Sequence, residues 1–536
     1  MEALKRINEF NQEMHDIRTG IVSYDEFQTK WNTTTDSLKV LGVTQQQIDR
    51  IKNLRVTAPT DLDGQQCRRP SGMPPGPRLW PVVGNMLSIT GKQNLIEAFR
   101  ELRQQYGDIY SLKLGSSWIV VINGYENLKD ALVKQGDMFI DRPDNFFFTR
   151  LLQHQGIIGS SGLLWKESRV FTQKTLKDFG LGKRSLQDKI LEEVTILLKT
   201  IENTKGEMFT LKPLIQGVFS NIVTSIVFNR RFDYDDPQMM KIRDMLHEHL
   251  TDSEFSGILD AIPVLESFPG DLFHAKRLVD VERKLDAFVQ KCLDEHKQTF
   301  DENNLVDYAD AYLSEMKKRQ NEKDSVYSER QLVRICRDFL LAGTDTTATN
   351  TRWAILHLIC KPEIQERMFL EIQDVIGLER PPDMNDRLNM PYCDAVCNET
   401  MRVSNVGPLS APRSSRVDVK FQGYKIPAET VIYPSLDSVL FDENIYPDPE
   451  DFIPDRFLEG SKISTSMTKL NVPFSLGKRS CPGEVLARQE LFLTIVSLVR
   501  KFKFLPPDGS GPPAKKRMFG VIFFPAEYKL RAILRN

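Results

Sequence analysis

The chain has 536 residues, about three ordinary domains or one unusually large one, and long enough for a deep core. Its 40% hydrophobic and 27% charged residues are ordinary globular composition and exclude a wholly disordered, collagen-like or coiled-coil chain. With 71 basic and 73 acidic side chains the net charge is −2, which leaves no global field to hold nucleic acid.

Residues 1–66 mix Glu2, Glu9, Glu13, Asp16, Asp25 and Glu26 with basic residues. The segment lacks both the apolar centre of a signal peptide and the acid-poor character of a transit peptide, and reads as a soluble helical extension. From Arg68 to Pro81, five prolines and two glycines preclude a helix and predict an extended strap, 67–81, at a domain boundary. Ile109 to Leu114 and Trp118 to Ile122 flank Gly115-Ser116-Ser117 and predict a hairpin. Helical periodicity dominates from Gln187 to Ile376, with Leu191, Val194, Ile196, Leu197 and Ile201 as one example. Short strands return at Val417 to Phe421, Val431 to Tyr433 and near Phe519 to Phe524. The expected class is mostly α with small β sheets. The longest apolar run, Leu491 to Val499, has a buried helix's length and cannot span a membrane.

Seven cysteines scattered from Cys67 to Cys481 make no disulfide framework and suit a reducing compartment. Cys393 and Cys397 lie four apart on a predicted helix, but no second pair with zinc spacing follows. His247 and His249 read as exposed helix surface.

The most informative stretch is Pro473 to Gly483, followed by the apolar helical segment Glu484 to Val499. It sets Cys481 just before a helix, whose positive end and free N–H groups lower a thiol's pKa and suit it to bind iron from one side. Gly477 and Gly483 let the backbone turn tightly around a flat ligand, and Arg479 supplies a cation for a carboxylate. Taken alone, Cys481 reads as a buried structural thiol more readily than as a ligand.

The spacing Phe474-x-x-Gly477-x-Arg479-x-Cys481-x-Gly483 resembles the haem-binding loop of the cytochromes P450. Ala342-Gly343-Thr344-Asp345-Thr346-Thr347 resembles the family's oxygen-activating helix segment, and Glu399-Thr400-Met401-Arg402 its Glu-x-x-Arg helix. Phe452-Ile453-Pro454-Asp455-Arg456-Phe457 resembles its Pro-Glu-Arg-Phe element, with Asp455 where Glu is usual. Trp165-x-x-x-Arg169 resembles the helix that reaches the haem propionates, with Val170 where a second arginine is common. The resemblance covers residues 72–536. With the strap and Trp80-Pro81-Val82-Val83-Gly84-Asn85, it is nearest to animal microsomal members that oxidise drugs, steroids and fatty acids.

This resemblance implies the cytochrome P450 fold, a triangular helical prism around buried haem b, over residues 82–536. It implies a monooxygenase that inserts one oxygen atom from O2 into a hydrophobic xenobiotic, steroid or fatty acid, with electrons from NADPH through a flavoprotein reductase. Cys481 becomes the axial ligand of the haem iron. Arg169, Arg479 and Arg413 hold the propionates, assisted by the Trp165 indole N–H. Ala342 and Gly343 lie close to the porphyrin, while Thr344 and Thr346 bond back to carbonyls one turn earlier and open the helix. Asp345 and Thr346 relay protons to the oxygen-activation site. Glu399, Arg402 and Arg456 form a buried network that holds the cysteine loop.

The substrate walls are expected from 137–164 with Phe139, Phe146, Phe147, Phe148 and Leu152, from 237–268, from Phe339 to Ala342, from Val406 to Pro412 and from Val521 to Phe523. Lys174, Lys177, Lys478 and Arg488 are expected to form a basic face for NADPH–cytochrome P450 reductase. The resemblance places the protein on the cytoplasmic side of the endoplasmic reticulum membrane, yet 1–66 cannot serve as the usual anchor. Phe255, Ile258, Leu259, Ile262, Val264, Leu265 and Phe268 are expected to make a peripheral membrane contact. Two alternatives stand beside this reading. A non-catalytic haem-binding protein would need the cysteine loop but not Asp345 and Thr346; a haem-thiolate isomerase or peroxygenase would need neither reductase face nor proton relay.

Overall fold

The computed structural model describes residues 68–80, 84–89, 94–179, 184–252, 256–261, 266, 271 and 273–535. The extension 1–66 therefore lies outside the described residues, as do Cys67 and Pro81 at the ends of the strap. Apart from 263–273, the described chain forms one compact unit.

The strap runs extended beside strand β1 (Ile109–Leu114). Ser111 anchors it, its N–H donating to the Pro75 carbonyl at 2.7 Å and its hydroxyl to that of Pro74 at 2.7 Å. A two-residue turn at Gly115, with φ of 58°, leads into β2 (Ser117–Ile122), paired antiparallel from Leu114↔Ser117 to Ile109↔Ile122. The predicted hairpin is thus present, and α1 (Leu95–Tyr106) precedes it. The other edge of β2 pairs in parallel with a distant strand, β5 (Val431–Pro434).

The helical mass comprises α2 (Gly162–Asp178), α3 (Arg184–Glu202), α4 (Lys212–Phe228), α5 (Pro237–Asp252), α6 (Ala275–Lys297) and α7 (Tyr308–Lys318). It continues in α8 (Glu329–Cys360), α9 (Pro362–Ile376), α10 (Pro391–Ser404) and α11 (Glu484–Lys501). Small sheets fill the remainder: β3 (Val419–Phe421) with β4 (Tyr424–Ile426), and β6 (Phe502–Leu505) with β9 (Arg531–Leu534). Of the expected strand near Phe519 to Phe524 only the ends are paired, as β7 (Arg517–Met518) and β8 (Phe524–Pro525).

Helix α8 organises the interior. It has 32 residues, about 48 Å at 1.5 Å per residue, and starts at Ser328, whose side chain accepts from the Gln331 N–H. Its first half, Leu332 to Leu341, packs into one apolar core with α5, α6 and α7. Its second half, Ala348 to Ile359, packs into another with α3, α9, α10 and α11. Between the two lies the polar stretch Thr344 to Thr347, so the chemistry-bearing residues sit at the seam between cores. Among the described residues no helix is long and apolar enough to cross a membrane.

Candidate active site

The cysteine loop closes on itself before α11 begins. The Cys481 N–H donates to the Phe474 carbonyl at 3.0 Å, and that of Ser480 to Gly477 at 3.0 Å. Gly477 has a φ of 76°, and an added Cβ would run into the Leu132 carbonyl. The Asp130–Lys134 segment therefore by itself requires glycine at this position. Gly483 has an ordinary φ of −92° and contributes its N–H, which donates to the Cys481 sulfur. That sulfur is accessible although protein surrounds it closely, the combination expected of a thiol facing an interior space. Burial pushes its pKa up, and the opposing pulls of the Gly483 N–H and Arg169 do not compensate. The helix start alone does not make the thiolate, contrary to the sequence expectation. A coordinated metal cation would supply the missing charge, because a coordinating thiol is deprotonated outright.

Four guanidinium groups are buried near this loop. Arg169 Nη2 donates to the Ser480 carbonyl at 2.7 Å. Arg479 donates to the carbonyls of Ile140 at 2.9 Å and Ser160 at 2.7 Å, with its guanidinium 4.1 Å above the Trp165 ring. Trp165 thus stacks on an arginine, a contact not anticipated from its indole N–H. Among the described residues Arg413 donates only to the Ala411 carbonyl and the Ser410 hydroxyl, both at 3.3 Å. Arg142, absent from the sequence motifs, donates to the carbonyls of Ile158, Ala411 and Pro412 at 2.7–2.9 Å.

None of the four pairs with a carboxylate among the described residues, and Arg169 Nε has no partner. Burial, with repulsion from Arg142 and Arg413, pushes Arg479 down to about 7, and burial pushes Arg142 down to about 10. Arg413 is depressed well below its ordinary value by burial and by Arg142 and Arg169. Such a convergence of buried cations requires anions. A dianionic porphyrin with a thiolate-ligated iron fits this donor set.

On α8, Ala342 is exposed and Thr346 half-buried on a helix that is otherwise largely buried. They share one face at i, i+4 spacing. Thr346 Oγ1 donates to the Ala342 carbonyl at 2.6 Å, as expected. Thr344 does not follow suit: its hydroxyl is buried and unpartnered, and the helix runs unbroken. A Cβ on Gly343 would lie 2.5 Å from Val223, so this glycine lets α4 approach α8 closely. Asp345, about 100° around the helix from Thr346, is buried against α4 and α5. It accepts from Gln216 Nε2 at 2.5 Å and lies 3.3 Å from His247 Nδ1.

The expected three-residue network is present in full. Fully buried Glu399 receives Arg402 Nε at 2.7 Å and Nη2 at 2.9 Å, Arg456 Nε at 3.1 Å and the Ile453 N–H at 2.8 Å. Next to it, the Asn398 carbonyl accepts from Asn471 at the start of the cysteine loop at 3.0 Å. The Asn398 side chain accepts from Arg488 at 3.2 Å.

The proposed substrate walls divide. Backbone bonds from Phe523 to Val406 at 2.8 Å and from Val521 to Leu250 at 2.9 Å join three of the five segments. Asp260 in the short helix Ser256–Ala261 accepts from the Phe146 N–H at 2.6 Å and ties in the fourth. Phe139 instead packs edge-on against Phe421 in the sheet core, while Phe148 and Leu152 are wholly buried. Phe339 packs on Tyr308. A cavity of about 360 Å³ bounded by Asn94, Arg100, Lys515, Arg517, Phe519 and Phe523 shares only Phe523 with these walls.

Lys174, Lys177 and Lys478 are exposed. Arg488 is not part of such a face: it donates to Glu484 at 2.9 Å, stacks on Phe474 and braces the loop. Cys393 and Cys397 are both buried in α10, where burial raises their thiol pKa. The two histidines are not exposed surface. His249 is 1% exposed and pairs with buried Glu282 at 2.8 Å, and His247 faces Asp345. Of the suggested membrane patch, Leu259 is buried; Phe255, Ile262, Val264, Leu265 and Phe268 and the Ile258 side chain lie outside the described residues.

Comparison with known proteins bears on the same region. The family model described as Cytochrome P450 matches residues 74–532. Cytochrome P450 2D9 of Mus musculus is 34% identical, over 89% of this chain and 95% of its own length. Cytochrome P450 2J2 of Homo sapiens is 36% identical, over 87% and 92%. Cytochrome P450 2H2 of Gallus gallus is 36% identical, over 81% and 87%. With its helical fold, its cysteine loop and its ring of buried arginines, the chain belongs to the cytochrome P450 family and is a haem b monooxygenase.

Proposed function

We propose that the protein oxidises an apolar xenobiotic, steroid or fatty acid, with Cys481 as iron ligand and electrons from NADPH delivered by a flavoprotein reductase at the cytoplasmic face of the endoplasmic reticulum. The observation that carries the reading is the convergence of Arg142, Arg169, Arg413 and Arg479, buried and without a carboxylate partner among the described residues, with Arg169 bonded to the Ser480 carbonyl next to Cys481. When bound, haem activates dioxygen and transfers one of its atoms to a C–H bond.

Each residue's task follows from its surroundings. Cys481 would ligate the iron and lend it electron density, and the Gly483 N–H bonded to the sulfur would moderate its charge. The four arginines would hold the propionates of the bound group and neutralise their charge. Ala342 would give the bound group an apolar neighbour on α8, and Thr346 would present a hydroxyl on the same helix face, oriented by its bond to the Ala342 carbonyl. Asp345 replenishes the proton that Thr346 and its waters hand on. The apolar segments around Val406 and Phe523 exclude bulk water and favour an apolar guest. Exposed Lys174 and Lys177 support a basic reductase face, to which Lys478 adds less because it is paired with Asp137.

The test is the reduced protein under carbon monoxide. A sulfur-ligated absorption band is expected in the wild type and absent in Cys481→His with haem still bound. An unchanged band in that variant refutes the ligand assignment. NADPH-driven product formation with reductase, lost in Thr346→Ala in favour of released peroxide, is expected in addition.

A further inference from the structure

We propose that His247 is the surface end of the proton path to Asp345, a positioning residue that reloads this carboxylate during turnover. The inference rests on the relay role given to Asp345 above. Asp345 belongs to α8 and His247 to α5, 98 positions apart in sequence. Tertiary packing alone brings them to 3.3 Å. Asp345 is 2% exposed and His247 26% exposed, so the imidazole is the step between a buried acid and water.

The groups around the ring give it a direction. Its Nδ1 faces Asp345 Oδ2, while Nε2 lies 3.2 Å from Lys212 Nζ on α4. A carboxylate only accepts and an ammonium only donates. These partners therefore select the tautomer with hydrogen on Nδ1 and a lone pair on Nε2. Lys212 is 3.3 Å from Glu527, which is 60% exposed and also accepts from Arg352 Nη2 at 3.1 Å. The Phe524 ring packs 4.8 Å from the imidazole, and the Thr251 hydroxyl donates to the His247 carbonyl. The outer nitrogen thus meets a solvated ion cluster and the inner one meets the buried carboxylate.

In the transfer, the His247 Nδ1–H bond breaks and an Asp345 Oδ2–H bond forms. In the same step Nε2 takes a proton from the adjoining Lys212 ammonium, which solvent reprotonates, and the ring then regains its starting tautomer by exchange with solvent. No electron moves. Gln216, which donates to the other Asp345 oxygen at 2.5 Å, leaves Oδ2 as the oxygen that receives the proton.

The test uses the haem-loaded, full-length protein with reductase. His247→Ala and the polar His247→Gln are expected to lower kcat and the product formed per NADPH about 3- to 10-fold, less than a first-line acid–base group. KM stays unchanged and the solvent deuterium isotope effect on kcat grows. Because the two residues act in series, adding His247→Ala to Asp345→Asn costs nothing further. A readout independent of turnover is the His247 ring signal in selectively labelled ferric protein, expected to move in Asp345→Asn and in Lys212→Met. Wild-type kcat, coupling and isotope effect in both His247 variants overturn the inference, as does a ring signal that ignores Asp345→Asn. If Asp345→Asn is itself silent, the Asp345 relay falls with it; if only the His247 variants are silent, that relay stands and this inference alone fails.

Discussion

Replacing Glu399 with alanine strips four donors of their acceptor at once: Arg402 Nε and Nη2, Arg456 Nε and the Ile453 N–H. Glu399 and Arg402 have no exposed side-chain surface, and Arg456 has 8%. Arg402 keeps the carbonyls of Leu440 and Asp451; Arg456 keeps those of Pro447, Asp448 and Asp451. Carbonyls solvate a guanidinium but do not neutralise it, so the full penalty of a broken buried pair applies, about 3–5 kcal/mol. At about 1.4 kcal/mol per factor of ten, the folded-to-unfolded ratio falls about 10²–10⁴-fold, a large share of a domain's about 5–15 kcal/mol. Through Asn398, which holds Asn471 and Arg488, the damage passes to both ends of the cysteine loop. The assay is haem absorbance per unit protein together with the urea unfolding midpoint. Little haem and a lowered midpoint are expected for Glu399→Ala, with a smaller loss for Glu399→Gln, which retains one acceptor oxygen. Full haem loading at the wild-type midpoint would show that the network neither stabilises the fold nor holds the loop.

Three further outcomes are expected. Gly477→Ala, whose Cβ would meet the Leu132 carbonyl at a φ of 76°, should displace the loop and abolish the sulfur-ligated carbon monoxide band while leaving far-ultraviolet circular dichroism intact; a normal band refutes this. Burial pushes the Glu490 carboxyl up to about 8, against an ordinary value near 4.5, despite the Thr347 hydroxyl bond. Between those values the folded state holds a proton that the unfolded chain has lost, so this group's contribution to stability falls as pH rises through that window and is flat above it. Stability of Glu490→Gln relative to wild type should therefore climb from pH 4.5 to 8, and parallel pH profiles would contradict the buried acid. Finally, Lys174→Glu with Lys177→Glu should weaken reductase-driven turnover several-fold and flatten its salt dependence, with peroxide-driven turnover unchanged; equal salt slopes in both proteins would remove these lysines from the docking face.

What the sequence determined by itself is chemistry set by near neighbours. The hairpin at Gly115, the extended strap, the Glu399–Arg402 pair at i, i+3 and the Thr346 bond to Ala342 all follow from spacing along one element, and all are present. The cysteine loop stood out because Cys481, Gly483 and Arg479 lie within five positions of one another, and its haem-binding role came from the motif's resemblance to the cytochromes P450. Tertiary structure decided everything that depends on what arrives from elsewhere. Arg142 joins the buried arginines through loops near 158 and 411, and no motif around it announces this. Gly343 answers to Val223 on another helix, Gly477 to Leu132, and Arg488 to Asn398. His247 and His249, a polar pair on a helix of mixed character, became interior partners of Asp345 and Glu282 only because α5 packs across α6 and α8. Short-range hydrogen bonding and dihedral preference are written residue by residue, whereas burial and charge compensation belong to surfaces that meet only when the chain has folded.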